Sequence, residues 1–282
     1  MVSSTKPSRN VRLFCFYYFR SVRKIQLLFR YIRYLLASTN EHGIHSPFVF
    51  DLVTTVIYDE RNFYGFKKIN AIRERLLLDE TPIPIRDLGA GSLSDNDSEK
   101  AVKDITQQAA KTKKQGELLF RLVNKFAPKT VLELGTSLGI SGMYLASACK
   151  NARFITIEGN QQIAGIASQN FKEIELKNTE QLIGKFEDEL PKAIKQFVTL
   201  DFVFFDGNHR KEPTLEYFRE CMKHATNQSV FIFDDIHWSE EMEIAWHEIK
   251  NDERVTVTID LFFMGIVFFR KEQNKQHFVI RY

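Results

Sequence analysis

The sequence has few cysteines and no long apolar run. Its 282 residues contain three cysteines, Cys15, Cys149 and Cys221, which are far apart and form no Cys-x-x-Cys or Cys/His pattern. This usage argues against a disulfide framework and a zinc site, and makes a reducing cytoplasm the expected compartment. No apolar stretch approaches the roughly 20 residues of a membrane-spanning helix. Arginines interrupt every candidate apolar core near the N-terminus, so we do not expect a secretory signal.

Acidic residues are missing from the first forty positions. Residues 1–80 hold 13 Lys and Arg against 7 Asp and Glu, whereas the remainder holds 26 against 29. From Ile25 onward, apolar residues at helical spacing form one stripe, with basic residues opposite. The stripe either packs on the rest of the chain, or residues 1–38 lie on an anionic partner such as the inner membrane face. The stripe comprises Ile25, Leu28, Phe29, Ile32, Leu35 and Leu36, and the basic side Arg20, Arg23, Lys24, Arg30 and Arg33.

A helix entrance follows, with two histidines in front of it. Ser46 and Pro47 form an N-cap and first-turn pair, which predicts a helix from Pro47 to about Tyr58. His42 and His45 therefore lie in the loop that enters this helix. They either hydrogen-bond the helix entrance or serve an acceptor pocket or proton transfer, and the sequence leaves both open.

Residues 81–112 are polar and are interpreted as a connector. It would join a helical extension, residues 1–80, to an α/β domain, residues 113–282. The connector contains Asp87-Leu-Gly89-Ala-Gly91, which looks like a nucleotide-binding turn. No amphipathic helix start and no acidic strand end follow it at the expected distance, so this turn is a weak candidate for a cofactor loop.

A stronger cofactor-binding pattern begins at residue 130. The β-prone run Thr130-Val-Leu-Glu133-Leu precedes Gly135-Thr-Ser-Leu-Gly139 and an apolar helix start. Gly135 permits a sharp turn, and Gly139 permits close packing of helix and strand, with backbone N–H groups facing a ligand. A second strand, residues 153–157, ends in Glu158, close to the spacing at which a carboxylate binds ribose hydroxyls.

Helical and strand patterns alternate from there to the C-terminal region. This alternation predicts a doubly wound α/β sheet that ends in an antiparallel hairpin. The expected strands are residues 179–183, 202–205, 230–233, 255–261 and 265–269, and the expected helices are residues 143–148, 163–171, 190–196, 215–225 and one capped by Ser239.

Two of these strands end in carboxylates. Phe205 precedes Asp206-Gly-Asn-His209, and Phe233 precedes Asp234-Asp235. Ligands bind at the C-terminal ends of parallel strands, and clustered carboxylates repel one another unless a cation or proton intervenes. The pattern favours a hard divalent cation such as Mg²⁺ or Ca²⁺, with His209 as a candidate base. Alternatively, Asp206 binds cofactor or acceptor without metal, and the other two aspartates cap the following turn.

Together these motifs resemble the class I S-adenosylmethionine-dependent methyltransferases. Residues 113–271 are similar to the small-molecule O-methyltransferases of the catechol, caffeoyl-CoA and macrocin types, and the whole chain resembles a group of bacterial methyltransferase-like proteins. The resemblance implies a Rossmann-like, seven-stranded methyltransferase sheet with a terminal antiparallel hairpin. It also implies methyl transfer from S-adenosylmethionine to a hydroxyl oxygen of a small molecule, with help from a divalent cation.

The resemblance further implies roles for individual residues. The methionine part of the cofactor would lie over the glycine turn, Glu158 would hold the ribose, and residues 183–186 would lie by the adenine. Ser137 replaces the middle glycine of the commoner turn, Asp235 stands where many members have asparagine, and His209 stands where the catechol type has a lysine base. The implied cofactor-binding residues are Gly116, Glu133, Gly135, Thr136, Ser137, Gly139, Glu158, Gly184, Phe186 and Asp206; the implied metal ligands are Asp206, Asp234 and Asp235; the implied catalytic residues are His209 and Asp206.

Other functions compete with this interpretation. A nucleic-acid base methyltransferase would carry an Asn/Asp-Pro-Pro-aromatic strand end, where this chain has Asp206-Gly-Asn-His. A nicotinamide dehydrogenase would have its glycine turn near the start of a parallel sheet. In this chain the turn comes late, at Gly135, and a hairpin ends the sheet, so both features argue against a dehydrogenase. A macromolecular acceptor, or a catalytically silent module that docks a membrane or partner through the N-terminal region, stays open. Trp246 is expected in the core, and Trp238 could wall an acceptor pocket.

Overall fold

The computed structural model describes residues 25–85 and 98–282. Strands and helices alternate through most of this length, as the pattern predicts. The strands are β1 (Pro82–Ile85), β2 (Ser98–Ala101), β3 (Thr130–Leu134), β4 (Arg153–Glu158), β5 (Thr179–Ile183), β6 (Leu200–Phe205), β7 (Ala225–Asp234), β8 (Val257–Asp260), β9 (Met264–Phe268) and β10 (Gln276–Val279). The helices are α1 (residues 25–37), α2 (Pro47–Leu52, continued by a π-helical segment Val53–Ile57), α3 (Gly65–Leu76), α4 (Val102–Ala109), α5 (Lys113–Phe126), α6 (Ile140–Ala148), α7 (Gln161–Glu173), α8 (Phe186–Lys195), α9 (Lys211–Met222) and α10 (Glu240–Asn251).

Eight strands of the described residues form the central sheet, in the order β10-β8-β9-β7-β6-β3-β4-β5. The five strands from β7 to β5 are parallel, and β9 pairs antiparallel with both β7 and β8. The doubly wound α/β sheet with its terminal hairpin is therefore confirmed. The sheet has one strand more than the predicted seven, because β10 adds to β8 in parallel.

The core lies on both faces of this sheet. Alternate residues of β3 enter opposite clusters: Val131 packs with α2 and α5, whereas Leu132 packs with α8, α9 and α10. Successive strand side chains point to opposite faces, so a strand covered on both sides is mostly apolar. Trp246 on α10 is 2% exposed, which confirms the expectation that it is a core residue.

The N-terminal helix α1 turns its basic side toward the rest of the chain, which is the reverse of the alternative in which its apolar stripe packs there. Its apolar stripe is exposed except at the half-buried Leu35, whereas Arg30 and Arg33 form ion pairs with Glu243 on α10. Tyr34, between the two sets, is buried and donates a hydrogen bond to the Ile280 carbonyl oxygen at 2.5 Å. The expectation that the stripe packs on the domain is therefore wrong, whereas of the two arginines Arg33 stays 69% exposed and Arg30 is 15% exposed.

The segment between α3 and α5 is more than a polar connector. β1 and β2 pair antiparallel, and Ile83 and Val102 join a buried cluster beside α3. The Asp87–Gly91 turn lies outside the described residues, as do residues 1–24.

The helix entrance has the predicted cap, since the Ser46 hydroxyl accepts a hydrogen bond from the Val49 N–H at 3.4 Å. His42 and His45 are exposed beside it. Within residues 25–85 and 98–282, no helix is long and apolar enough to cross a membrane.

Candidate active site

Strand register gathers the predicted site residues at one edge of the sheet. Leu134 of β3 pairs with Phe205 of β6, and Phe205 pairs with Phe233 of β7. The residues that follow these positions must therefore be neighbours. The glycine turn after β3, Asp206 after β6 and Asp234 at the end of β7 share this edge, where ligands of open α/β sheets bind.

The turn after β3 can be made only by glycine at its first position. Gly135 has φ +101°, and a β-carbon there would lie 2.1 Å from the carbonyl oxygen of Asp206. Gly139, with φ +82°, is the N-cap of α6 and packs against Phe171 and Ala167. Among the described residues no side chain caps the α6 N-terminus, and its backbone N–H groups and positive dipole end suit an anionic ligand.

Glu158, at the end of β4, is built into this turn. Its two carboxylate oxygens accept hydrogen bonds from the Ser137 N–H at 2.8 Å and the Asn160 N–H at 2.9 Å. Burial raises the pKa of Glu158, and these backbone hydrogen bonds partly oppose the rise. Each oxygen keeps a lone pair, so the carboxylate can still accept hydrogen bonds from a ligand.

A second glutamate, Glu133 on β3, lies beneath the same turn. The Thr156 hydroxyl donates to its Oε2 at 2.7 Å and is linked to the Thr136 hydroxyl at 2.6 Å. The other oxygen, Oε1, is buried without a hydrogen-bond partner among the described residues. Burial raises the pKa of Glu133 to about 7. Such an orphaned acceptor fits a donor group of a bound ligand.

The remaining predicted cofactor positions fall into two groups. Gly184 follows β5 and donates its N–H to the Glu158 carbonyl, and Phe186 begins α8 with its ring against Gly207. Gly184 thus contacts Glu158, and Phe186 contacts the residue that follows Asp206. Gly116 instead lies within α5, where a β-carbon would meet the Tyr144 ring at 2.3 Å. Close packing of α5 on α6 already accounts for glycine at this position.

The acidic cluster consists of Asp206, Asp234 and Asp235, with His209 beside it. The His209 Nε2 lies 3.8 Å from Asp206 Oδ1 and 4.0 Å from Asp235 Oδ2. Asp235 has φ +55°, which aspartate tolerates, and its N–H donates to the Phe263 carbonyl at 2.7 Å. Burial lowers the pKa of His209, so its ring is neutral near pH 7.

A residue that the sequence interpretation missed enters this cluster. The Lys111 ammonium lies 2.9 Å from Asp206 Oδ1 and also contacts Asp234 Oδ2. The side chains of Lys111, Asp206 and Asp234 are 9%, 11% and 2% exposed. Burial disfavours the ammonium charge, but the three nearby aspartates outweigh burial and raise the pKa of Lys111. Lys111 is therefore a buried cation.

The carboxylates respond to burial and to one another. Burial and the charge of Asp234 raise the pKa of Asp235 to about 7. Burial also raises the pKa of Asp206 well above its ordinary value, although Lys111 opposes this rise. One ammonium does not neutralise three carboxylates, so the site retains an affinity for further positive charge or for a proton.

The donor atoms suit a divalent cation, but the Lys111 ammonium competes for two of the carboxylates. One ligand atom each of Asp206, His209 and Asp234 lies within 4.8 Å of the others, and oxygen-rich sets of this kind suit Mg²⁺. The Lys111 ammonium already contacts Asp206 and Asp234. An ion bound through these two oxygens would compete with the ammonium, whereas the second oxygen of Asp234, Oδ1, is buried without a hydrogen-bond partner among the described residues.

Comparison with known proteins agrees with this geometry. Residues 132–236 match the family model described as a methyltransferase domain. A catechol O-methyltransferase of Niastella koreensis is 31% identical over 125 residues, 43% of this chain and 56% of the relative. The catechol O-methyltransferase of Sus scrofa is 33% identical over 115 residues, 39% of this chain and 61% of the relative. The chain thus spans less than two thirds of the length of these relatives.

Solved structures share the fold. An O-methyltransferase from Bacillus cereus in complex with S-adenosylhomocysteine (SAH) has a TM-score of 0.53 at 18% identity, over 76% of this chain and 95% of that chain. The O-methyltransferase TomG from Streptomyces achromogenes, in complex with S-adenosylmethionine, has a TM-score of 0.55 at 20% identity, over 77% and 95%. The sequence relatives confirm the resemblance to S-adenosylmethionine-dependent O-methyltransferases, and the solved structures confirm the fold.

Proposed function

We propose that this chain, with its methyltransferase domain at residues 132–236, is an S-adenosylmethionine-dependent methyltransferase acting on a hydroxyl oxygen of a small molecule. One observation carries the proposal: the Gly135 turn, the Glu158 carboxylate and the Asp206 cluster lie side by side along one sheet edge. A donor site and an acceptor site must be adjacent for an in-line transfer.

The donor site would hold the cofactor through charge and backbone. Glu158 has lone pairs for ribose hydroxyls, and the open α6 N-terminus at Gly139 suits the methionine carboxylate. The unpartnered Oε1 of Glu133 suits an ammonium group. The cofactor supplies a methyl group on a positively charged sulfur.

The acceptor site would bind the hydroxyl and remove its proton. His209 is neutral because burial lowers its pKa, so Nε2 can accept a proton. Asp206 and Asp235 lie 3.8 Å and 4.0 Å from that nitrogen, close enough to stabilise the imidazolium that results. A cation at the cluster would stabilise the negative charge that develops on the acceptor oxygen.

The catechol O-methyltransferase relatives suggest the acceptor class. Vicinal diols of aromatic rings are therefore the first acceptors to test. Trp238 is 55% exposed, and its backbone N–H donates to the Asp235 carbonyl oxygen at 2.9 Å, which holds the residue beside the cluster. Its ring is a candidate wall for a flat acceptor.

Calorimetric titration with SAH tests the donor site. We expect Glu158→Gln to weaken binding by about tenfold or more, because hydrogen bonds to a charged group contribute about 1.5–3 kcal/mol. Glu253→Gln, an exposed glutamate after α10, is the matched control and should bind as the unmodified chain does. Absence of SAH binding to the unmodified chain would overturn the proposal in favour of a silent module.

Transfer of a labelled methyl group to a panel of catechols and other phenols tests the acceptor site. Asp206→Asn should lose turnover and keep SAH affinity, because the amide preserves shape and removes the negative charge. Equal loss of SAH affinity and turnover in Asp206→Asn would contradict its assignment to the acceptor side.

A further inference from the structure

We propose that Lys111 is the resident cation of the acidic cluster and that the site works without a divalent metal ion. This inference rests on the proposed function, since it assigns the charge that stabilises the acceptor oxygen. Lys111 is not one of the residues that the family resemblance implies.

The hydrogen bonds of Lys111 leave one donor unused. A lysine ammonium has three donors. Two are accounted for by Asp206 Oδ1 and Asp234 Oδ2, and the described residues provide no third hydrogen-bond acceptor, although the Phe204 ring centroid lies 5.9 Å from the nitrogen. The carboxylates thus hold the ammonium in place and leave one N–H for an acceptor oxygen. A buried, prealigned donor of this kind stabilises developing negative charge more strongly than water does.

Hydrogen bonds of the surrounding backbone hold Lys111 in place. Thr112 and Gln115 form a reciprocal capping box at the start of α5, which determines where the preceding residue lies. Arg73 of α3 donates to the Lys111 carbonyl oxygen at 3.2 Å. Backbone and ammonium are therefore both held, which is unlike an exposed lysine that neutralises carboxylates by chance.

A metal ion at this cluster would meet the ammonium in two ways. Bound to the oxygens of Asp206 and Asp234 that the ammonium contacts, it would compete with Lys111, and bound to any other oxygen of these two carboxylates it would lie close to a buried ammonium. Both effects oppose metal binding. The ammonium instead provides one positive charge at the place where the sequence led us to expect a metal.

Lys111 neither gains nor loses a proton during methyl transfer. The acceptor O–H bond breaks and its proton goes to His209 Nε2, while Lys111 keeps all of its protons and donates one hydrogen bond. The new oxygen–carbon bond forms as the carbon–sulfur bond breaks, and that electron pair stays on sulfur, which becomes neutral. Net charge is conserved, because the proton and the methyl group each carry one positive charge to their new site.

The test uses metal binding and activity on the full chain. Mn²⁺ titration followed by electron paramagnetic resonance should show no bound ion in the unmodified protein, and methyl transfer should be unchanged by EDTA. Lys111→Met should lose at least a hundredfold in turnover, keep SAH affinity, and gain Mn²⁺ binding because two carboxylates are released. Lys113→Met, an exposed lysine that pairs with Glu74, is the matched control and should behave as the unmodified chain.

Each outcome has a defined meaning. Mn²⁺ binding to the unmodified chain together with loss of activity in EDTA would overturn the Lys111 inference and leave the proposed function intact. Absence of SAH binding would instead overturn the proposed function. If Lys111→Met fails to fold, the two measurements on the unmodified chain still decide the question.

A separate observation concerns the apolar side of α1. Ile25, Leu28, Phe29, Ile32 and Leu36 are 44–84% exposed. They stay outside because the other side of the helix is fixed to the domain through Glu243 and the Ile280 carbonyl. An exposed apolar helix side of this size indicates an interaction surface.

We infer that this side of α1 docks on an anionic lipid surface. Residues 1–40 contain eight Lys and Arg and no Asp or Glu, which is the charge that an anionic membrane attracts. Arg30 and Arg33 pair with Glu243 on the other side of α1, and the remaining six basic residues precede α1 in the sequence. An apolar helix side that follows a basic segment suits the interface plane of a bilayer.

Vesicle co-sedimentation of the full chain tests the lipid surface. We expect binding to phosphatidylcholine vesicles that contain phosphatidylglycerol and little binding to phosphatidylcholine alone. A Phe29→Glu/Leu36→Glu variant should lose most of this binding. Val198→Glu, at a 93% exposed apolar residue away from α1, should keep it. The inference would be overturned if the chain bound neither kind of vesicle. It would also be overturned if light scattering showed the unmodified chain to be a dimer and the Phe29→Glu/Leu36→Glu variant to be a monomer.

Discussion

The Gly135→Ala substitution gives the sharpest test of the donor turn. Alanine would adopt φ +101° poorly, and its β-carbon would lie 2.1 Å from the Asp206 carbonyl oxygen. Both effects act at the point where β3 meets β6. Neither can be relieved by a side-chain rotation, because the atom in the way belongs to the backbone.

The size of the effect follows from these two terms. A non-glycine residue in the left-handed region costs about 1–2 kcal/mol, and overpacking at a buried site costs about 1–3 kcal/mol. The sum is about 2–5 kcal/mol. Since 1 kcal/mol shifts the Tm of a chain this large by about 2–4 °C, we expect a fall of roughly 4–20 °C. Affinity for SAH should fall as well, because the turn must move away from Asp206.

Thermal unfolding and SAH calorimetry measure these effects, with Gly165→Ala as the control. Gly165 lies within α7, where an added β-carbon would meet nothing within 4 Å. This control should stabilise the helix by up to about 1 kcal/mol and leave SAH affinity unchanged. A Gly135→Ala protein with unchanged Tm and unchanged SAH affinity would refute the reasoning about the turn.

Three further predictions concern the surroundings of the site. Thr112→Ala should lower the free energy of unfolding by about 1 kcal/mol through loss of its N-cap, measurable by urea denaturation. Gly116→Ala should destabilise the chain by about 1–3 kcal/mol because its β-carbon meets Tyr144 at 2.3 Å, while SAH affinity of the folded protein stays the same. Burial disfavours protonation of His237, but its hydrogen bond to Asp260 at 2.8 Å helps to raise its pKa above the ordinary 6.5. Its contribution to stability is then complete below pH 6.5 and is lost as pH rises through the raised pKa, so the Tm difference between the unmodified chain and His237→Gln should shrink toward alkaline pH.

Much of the donor side could be predicted from the sequence because its signals are local. A glycine turn between an apolar strand and an apolar helix leaves few alternatives, and Glu158 follows at a fixed spacing. Asp206 and Asp234 were predictable for the same reason, since each ends an apolar run. Parallel pairing of neighbouring strands then brings such ends together without further information.

Lys111 could not be predicted in this way, because its role depends on tertiary contacts across 95 and 123 residues of sequence. In the sequence it is one of several lysines in a polar stretch. The capping box of Thr112 and Gln115 was a usable signal for the start of α5, and it would have placed Lys111 just before a helix.

The orientation of α1 could not be predicted either, because it too depends on a tertiary contact. Periodicity defines two sides, but the position of Glu243 decides which side faces the domain.

Asp206 connects the two halves of the candidate site more closely than its place in the sequence suggests. Its N–H donates to the Leu134 carbonyl at 2.8 Å, its carbonyl oxygen abuts Gly135, and its carboxylate holds Lys111. The donor turn and the acceptor cluster are therefore both held in place by contacts with Asp206. Backbone atoms make the contacts to the donor side and side-chain atoms make those to the acceptor side. For this reason Asp206→Asn should separate the two functions, whereas Gly135→Ala should disturb both at once.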